Sequence, residues 1–297
     1  SSLLSIDIGN IVSNGADASN QYRGTALTTV PLFNLSSVTN ASAMFAYCAA
    51  LTTVPLFDLS KVTNAQSVFY LCSSLTTVPL FDLSKVTNAS YMFLGCTPLT
   101  VIPFFDLSNL INATGMFYQC SNITTVPLFD LSKVTNATTM FHQCTALTTV
   151  PLLNLSSVTN ALFMFLGCTS LTTVPLFDLS KVTNASYMFY QCTALTTVPL
   201  LNLSKVTNAA NMFYQCTALT TVPLLNLSSC TNASNMFSGV TLTTQSYSDF
   251  LVNLATLSLK SGVSFHGGNS KYNPAAAIAR AYLVSNFGWT ITDGGAA

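Results

Sequence analysis

Charge is scarce in this sequence, and glutamate is missing altogether. Nine Lys and Arg are balanced by nine acidic residues, all of them Asp, in 297 residues. A chain with no net charge offers no basic patch, which excludes nucleic acid and an anionic membrane surface as expected partners. Only two His occur, isolated at 142 and 266, and no Cys-x-x-Cys pair exists, so no metal site is expected. No run of 18 apolar residues is present, so no membrane insertion is expected either. There is no phosphate loop, and no nucleophile beside a base in a recognisable motif. The expectation is a protein that is not an enzyme and needs no cofactor. No signal peptide is visible, and the chain begins at Ser1 without Met, which reads as a processed product or a fragment.

What is present is a period. Leu171 to Ala194, LTTVPLFDLSKVTNASYMFYQCTA, is one copy of a 24-residue unit that recurs from Leu27 to about Gly239. Nine Pro from Pro31 to Pro223, nine Asn from Asn40 to Asn232 and nine Phe from Phe45 to Phe237 fall in step. Eight Cys from Cys48 to Cys216 do the same, and Val240 ends their column. A fixed period of this length marks a stacked repeat protein, because one unit cannot bury its own apolar face.

Within a unit, Leu171, Val174, Leu176 and Leu179 follow the leucine-rich-repeat spacing LxxVxLxxL, which predicts a short strand ended by Pro175. Lys181-Val182-Thr183 predicts a second, shorter ladder. Asn184 reads as the N-cap of a short helix, with Ala185, Met188, Phe189 and Cys192 on its inner face. Ser186, Tyr187, Tyr190 and Gln191 then face outward, and these outer columns vary from unit to unit. The adjacent Thr172 and Thr173 leave only one Thr per coil facing out of a strand. Asp58/Lys61, Asp82/Lys85, Asp130/Lys133 and Asp178/Lys181 occur together, and Asn34/Ser37, Asn154/Ser157 and Asn226/Ser229 lack both charges, which suggests local pairing.

The segments Val182 to Cys192 and Leu195 to Pro199, with their copies, resemble the BspA-like leucine-rich-repeat surface proteins. The match covers about 215 residues. The resemblance implies a secreted or surface-exposed protein with an adhesive role; similar modules occur in phage proteins. It implies no catalytic residues and fixes no binding residues.

The expected fold is therefore an α/β repeat solenoid. It is a leucine-rich-repeat-like, right-handed stack of coils with parallel β ladders on one side and short helical turns on the other. Residues 1–26 form an N-terminal cap or degenerate coil, in which Val12-Ser13-Asn14 matches the repeat's Val-Thr-Asn. Residues 27–240 form nine repeats, and residues 241–297 form a small α+β C-terminal cap. In that cap, Tyr247 to Leu257 predicts a helix and 262–265 a strand. Asn273 and Pro274 open a second helix that stops at Gly288, and Trp289 to Thr292 is a final strand. The Cys column faces inward, so Cys192 and Cys216 read as buried free thiols and Asn184 and Asn208 as structural caps.

Binding residues must be exposed and must differ from their surroundings. The outer aromatics satisfy both conditions. Tyr offers apolar area with a polar tip, and Tyr70, Tyr118, His142, Tyr190 and Tyr214 share one column. The expected contact set is Tyr187, Tyr190, Gln191, Tyr214 and Gln215. The expected function is extracellular recognition, as a cell-surface adhesin or a phage receptor-binding or fibre protein. Its partner would be a glycan or protein on a host or neighbouring cell. The alternative is a structural spacer or filament subunit without a specific ligand, self-associating through its caps.

Overall fold

The computed structural model describes residues 17–297. The repeats stack as successive coils of a solenoid. Parallel bridges join each Asn of the column to the next, from Asn40 to Asn232. The coil before the first full repeat joins the same ladder through Asp17, which bridges Asn40. Its phase is shorter by one residue, so Ala18 and Tyr22 stand where Ala41 and Phe45 stand one coil later. The expected match at Val12-Ser13-Asn14 lies outside the described residues.

The segment after each Asn is where the coils are held together. The N–H groups of Ala185, Tyr187, Phe189 and Gln191 donate to the carbonyls of Asn208, Ala210, Met212 and Tyr214 in the next coil. The alternate N–H groups of Met188, Tyr190 and Cys192 donate three residues back, to Ala185, Tyr187 and Phe189. The remaining one, on Ser186, donates to Asn184 Oδ1 at 3.1 Å. Every backbone donor from 185 to 192 thus has an acceptor, as buried backbone requires.

This segment is not the predicted short helix. Tyr187 and Gln191 have φ of 58° and 57°, and both columns are left-handed in every repeat. The bonds three residues back close β-turns, and a positive φ at the third position is the type II pattern. The inner face was legible all the same, because Ala185, Met188, Phe189 and Cys192 are fully buried. Turns prevail over a helix because a helix would spend all these donors inside one coil. The left-handed backbone costs about 1–2 kcal/mol per non-Gly residue, and the N–H aimed at the next coil offsets it.

The front of the coil also departs from expectation. Leu171, Val174 and Leu179 are buried, but Leu176 is 59% exposed and Phe177 takes its place inside at 1%. The Phe177 N–H donates to the Pro175 carbonyl at 2.8 Å, closing a three-residue turn around Leu176 that shifts the phase by one. The predicted strand is reduced to single contacts between coils, such as the Thr172 N–H to the Thr148 carbonyl at 3.1 Å. Without a regular strand, side chains do not alternate, and both Thr172 and Thr173 are exposed. The ladder runs along the turn segment instead of opposite it. Asp58 accepts hydrogen bonds from Ser60, through its N–H at 3.1 Å and its hydroxyl at 2.6 Å, and Lys61 adds a weaker electrostatic attraction that also lowers the Asp58 pKa. Asn34 accepts from the Ser36 N–H in the same way, so Asp and Asn are interchangeable there.

Rings and thiols fill the interior. The Phe column stacks face to face from Phe45 to Phe237, with centroids 5.4 to 5.7 Å apart. Each Cys of the column does more than fill space. Cys192 Sγ donates to the Phe165 carbonyl at 3.2 Å, and Cys216 Sγ to the Phe189 carbonyl at 3.0 Å. The acceptor belongs to the preceding coil, and it also takes that coil's own Cys N–H.

The C-terminal segment continues the stack. It comprises α1 (Thr244–Ala255), β1 (Ser264–His266), α2 (Pro274–Phe287) and β2 (Thr290–Thr292). The Ala233 and Phe237 N–H groups donate to the Ser264 and His266 carbonyls, so β1 occupies the place of a further coil. β2 pairs in parallel with β1. Phe250 and Phe265 meet Phe237 edge-on, at interplanar angles of 85° and 78°, and end the ring stack. Asn273 caps α2 by accepting from the Ala276 N–H, and Gly288 ends it at φ 65°. The Arg280 guanidinium binds Asp293 at 2.8 Å, and Tyr247 Oη donates to the same carboxylate at 2.9 Å. No helix among the described residues is long and apolar enough to cross a membrane.

Gln191→Gly separates turn from helix by the sign of its effect. In the left-handed turn, unfolding free energy should stay level or rise by up to about 1 kcal/mol. In a helix the same change would cost about 1 kcal/mol. A urea midpoint that falls by that amount contradicts the turn geometry. The thiols provide a second check. Burial pushes Cys72 and Cys168 up to about 12, so native protein should react negligibly with a thiol reagent at neutral pH. All nine Cys should react after unfolding without reductant.

Candidate functional site: an aromatic ribbon on the turn face

The outward turn positions form columns because each coil repeats the same backbone. Where those columns carry rings, the rings meet. Tyr118 and His142 stack at 4.2 Å with planes 4° apart. His142 lies 6.3 Å from Phe163, and Phe163 lies 4.9 Å from Tyr187. Tyr187 lies 5.5 Å from Tyr190, which stacks on Tyr214 at 4.6 Å and 3°. One half-buried ribbon therefore crosses five successive coils. It shifts from the 190 column to the 187 column at Phe163 and returns at Tyr190.

Three of the expected contact residues, Tyr187, Tyr190 and Tyr214, touch through their rings. Gln191 and Gln215 occupy the second left-handed column beside them. Gln191 is exposed and Gln215 half-buried. Gln215 leans over Gly239, where a Cβ would come within 2.5 Å of its amide nitrogen. Gly115 makes room for the Tyr91 ring in the same manner, at 2.5 Å. Glycine in these columns gives the side chain of the preceding coil a place to lie. The expected structural residues are engaged in the coil: Asn184 and Asn208 accept the N–H two residues on, each at 3.1 Å.

His142 sets the electrostatic character of the ribbon. Burial between its neighbours lowers its pKa to about 4, so the ring is neutral at physiological pH. Its Nδ1 is buried with no hydrogen-bond partner among the described residues. No carboxylate belongs to the ribbon, and no group of three or more His, Cys or acidic residues that could hold a metal occurs among the described residues. The face can stack flat apolar surfaces and donate or accept hydrogen bonds through Tyr and Gln.

A second aromatic group lies near the other end. The Arg23 guanidinium sits 5.1 Å above the Tyr47 ring, and Tyr47 lies 5.1 Å from Tyr70. These side chains, with Ser42 and Gln66, line a shallow cleft of about 240 Å³. Periodicity could not reveal it, because Arg23 belongs to the coil whose phase is one residue short.

His142→Tyr, which installs the residue found at 118, 190 and 214, should flatten the acid limb of the stability profile. The folded-state pKa is depressed, so the His142 contribution is fully present above the unfolded value of 6.5 and is lost as pH falls toward about 4. Across that window the wild-type denaturant midpoint should fall relative to the variant's as pH is lowered, so the two profiles separate at the acid end. Parallel profiles would contradict a buried neutral imidazole.

Three comparisons place the chain among known proteins. A family model described as "Mycoplasma protein of unknown function, DUF285" matches residues 16–129, 112–221 and 152–250. Two solved structures match at low identity and low superposition. One is a leucine-rich repeat protein from Bacteroides ovatus, 15% identical over 89% of this chain and 82% of that one, with a TM-score of 0.28. The other is a leucine-rich repeat protein from Eubacterium ventriosum, 16% identical over 79% of this chain and 86% of that one, with a TM-score of 0.31. No curated protein matches. The overlapping matches of the family model span the turn segment of every repeat, and the chain belongs to the DUF285 family of repeat proteins.

Proposed function

We propose that this protein is a non-enzymatic recognition module that binds a cell-surface glycan, or a protein, through the aromatic ribbon of its turn face. The ribbon carries the reading. Six rings from Tyr118 to Tyr214 lie in continuous contact on the turn face. A core repeats the same residue in every coil, whereas the ribbon columns change from coil to coil and so mark one place on the stack. Sugar rings present flat C–H faces to Tyr and hydroxyls to Gln. Tyr also contributes contact area at low entropy cost. The resemblance of the repeat to BspA-like surface proteins supports an extracellular setting, on a cell or a virion, with adhesion as the role.

The test is the triple change Tyr187→Ser, Tyr190→Ser and Tyr214→Ser. These side chains are half-buried, so retention of the fold is checked first by melting. Wild-type protein is screened on a glycan array and on cells, and the variant is applied to whatever binds. Binding should drop at least tenfold. Undiminished binding by the folded variant would transfer the role to the Arg23–Tyr47–Tyr70 cleft or to the Thr columns.

A further inference from the structure

The front of the solenoid carries an apolar rail that the ribbon does not use. From Leu80 to Leu224 the residue after each repeat Pro is held outward by the three-residue turn. The column runs from Leu32, 70% exposed, to Leu224, 50% exposed, with Phe104 at 62% in the fourth coil. Nine large apolar side chains are thus aligned on one face. In that fourth coil Val101 stands where most repeats have Thr, and it too is exposed, at 68%. At roughly 100 Å² per residue the rail presents on the order of 900 Å², above the ~300–600 Å² of the largest apolar patch on a typical monomer.

We infer that this rail is the interface of a homodimer in which two copies of the chain pack rail against rail with their coils running in the same direction. Area is the first argument. Two rails together bury about 1,800 Å², within the roughly 1,200–2,000 Å² of stable interfaces. Phe104 and Val101 supply the wide apolar centre that such interfaces concentrate.

Register is the second argument. A second copy has the same coil spacing, so every rail residue meets its own counterpart along the full length. A slip by one coil leaves a rail residue uncovered at each end.

Charge supplies the orientation. The chain crosses the rail from Thr173 through Leu176 to Asp178, and both flanking residues are exposed. The Thr columns therefore lie on one side and the Asp/Asn column on the other. A two-fold axis along the stack lays each Asp/Asn column over the partner copy's Thr columns. The reversed arrangement lays the two Asp/Asn columns on each other, with Asp130 of the middle coil facing its own counterpart. Like charges held that close are unfavourable. The same axis turns the two ribbons to opposite directions, so the parallel dimer carries one ribbon on each outer side.

Sedimentation velocity at micromolar concentration tests the inference. The wild-type chain should have twice its mass of 31.6 kDa. The double variant Phe104→Asp, Leu128→Asp should have the single mass and an unchanged circular dichroism spectrum, because both side chains project from the fold. Wild-type protein at the single mass overturns the inference, and so does an assembly larger than two. Doubled mass retained by the folded variant also overturns it, because association would then use another surface. Orientation is tested with Leu32→Cys and Leu224→Cys. Under oxidation each alone should give a covalent dimer. Crosslinking only when the two variants are mixed would overturn the parallel geometry.

Discussion

The hydrogen bonds from alternate N–H groups of each turn segment to the carbonyls of the next coil are what the rest of the molecule depends on. They recur at the same positions from Ala18 to Gln215, and β1 extends them. Making them requires a backbone that presents every second donor along the stack axis. Consecutive β-turns do this and a helix does not. Two left-handed residues per repeat follow from that requirement. So does the invariant Asn, whose side chain accepts the one N–H that neither the turn nor the next coil can satisfy. A substitute without an acceptor at that point would leave a buried donor orphaned, at a cost of about 1–3 kcal/mol.

The interior obeys the same geometry. Coils in fixed register bring identical side chains over one another, so Phe stacks on Phe and the Cys thiols line up. The thiol is suited to its column because it is small and apolar enough for the core and still donates to a carbonyl. Thr25, at the corresponding place in the leading coil, donates its hydroxyl to the Tyr22 carbonyl of its own coil at 2.8 Å, and Cys48 Sγ donates to that same carbonyl at 3.0 Å. The fit between ring stack and ladder also explains the ends. β1 and β2 continue the ladder, while Phe250 and Phe265 turn edge-on and stop the stack. Arg280, Asp293 and Tyr247 tie β2 and the two helices together with a partly buried ion pair.

A surface built this way inherits its pattern from the coil. Residues at one position form a line whatever they are, so the protein varies only the outer columns to change what it presents. Aromatic residues in two adjacent columns become a ribbon, and a neutral His142 keeps that ribbon free of charge. Leucine after the repeat Pro becomes a rail. The two surfaces lie about half a repeat apart in sequence, at Leu176 and Tyr190.

The sequence by itself determined the period, the buried columns and most of the C-terminal elements. Each of these is a matter of local spacing: 24 residues between Asn and Asn, apolar residues at 185, 188, 189 and 192, Asn-Pro opening α2 and Gly288 closing it. It also placed Tyr187, Tyr190 and Tyr214 on one outer face, because the outer columns vary while the inner ones do not. Only the tertiary structure decided the rest. Turns and a helix bury the same four positions, and the choice between them lies in where Ala185, Tyr187, Phe189 and Gln191 send their N–H groups, to a coil 23 residues away. Leu176 and Phe177 are both apolar, so spacing could not say which faces in; the bond from Phe177 to Pro175 did. Ring contact along the ribbon and the join of Arg23 to Tyr47 depend on how closely and in what phase the coils stack, which no single repeat contains.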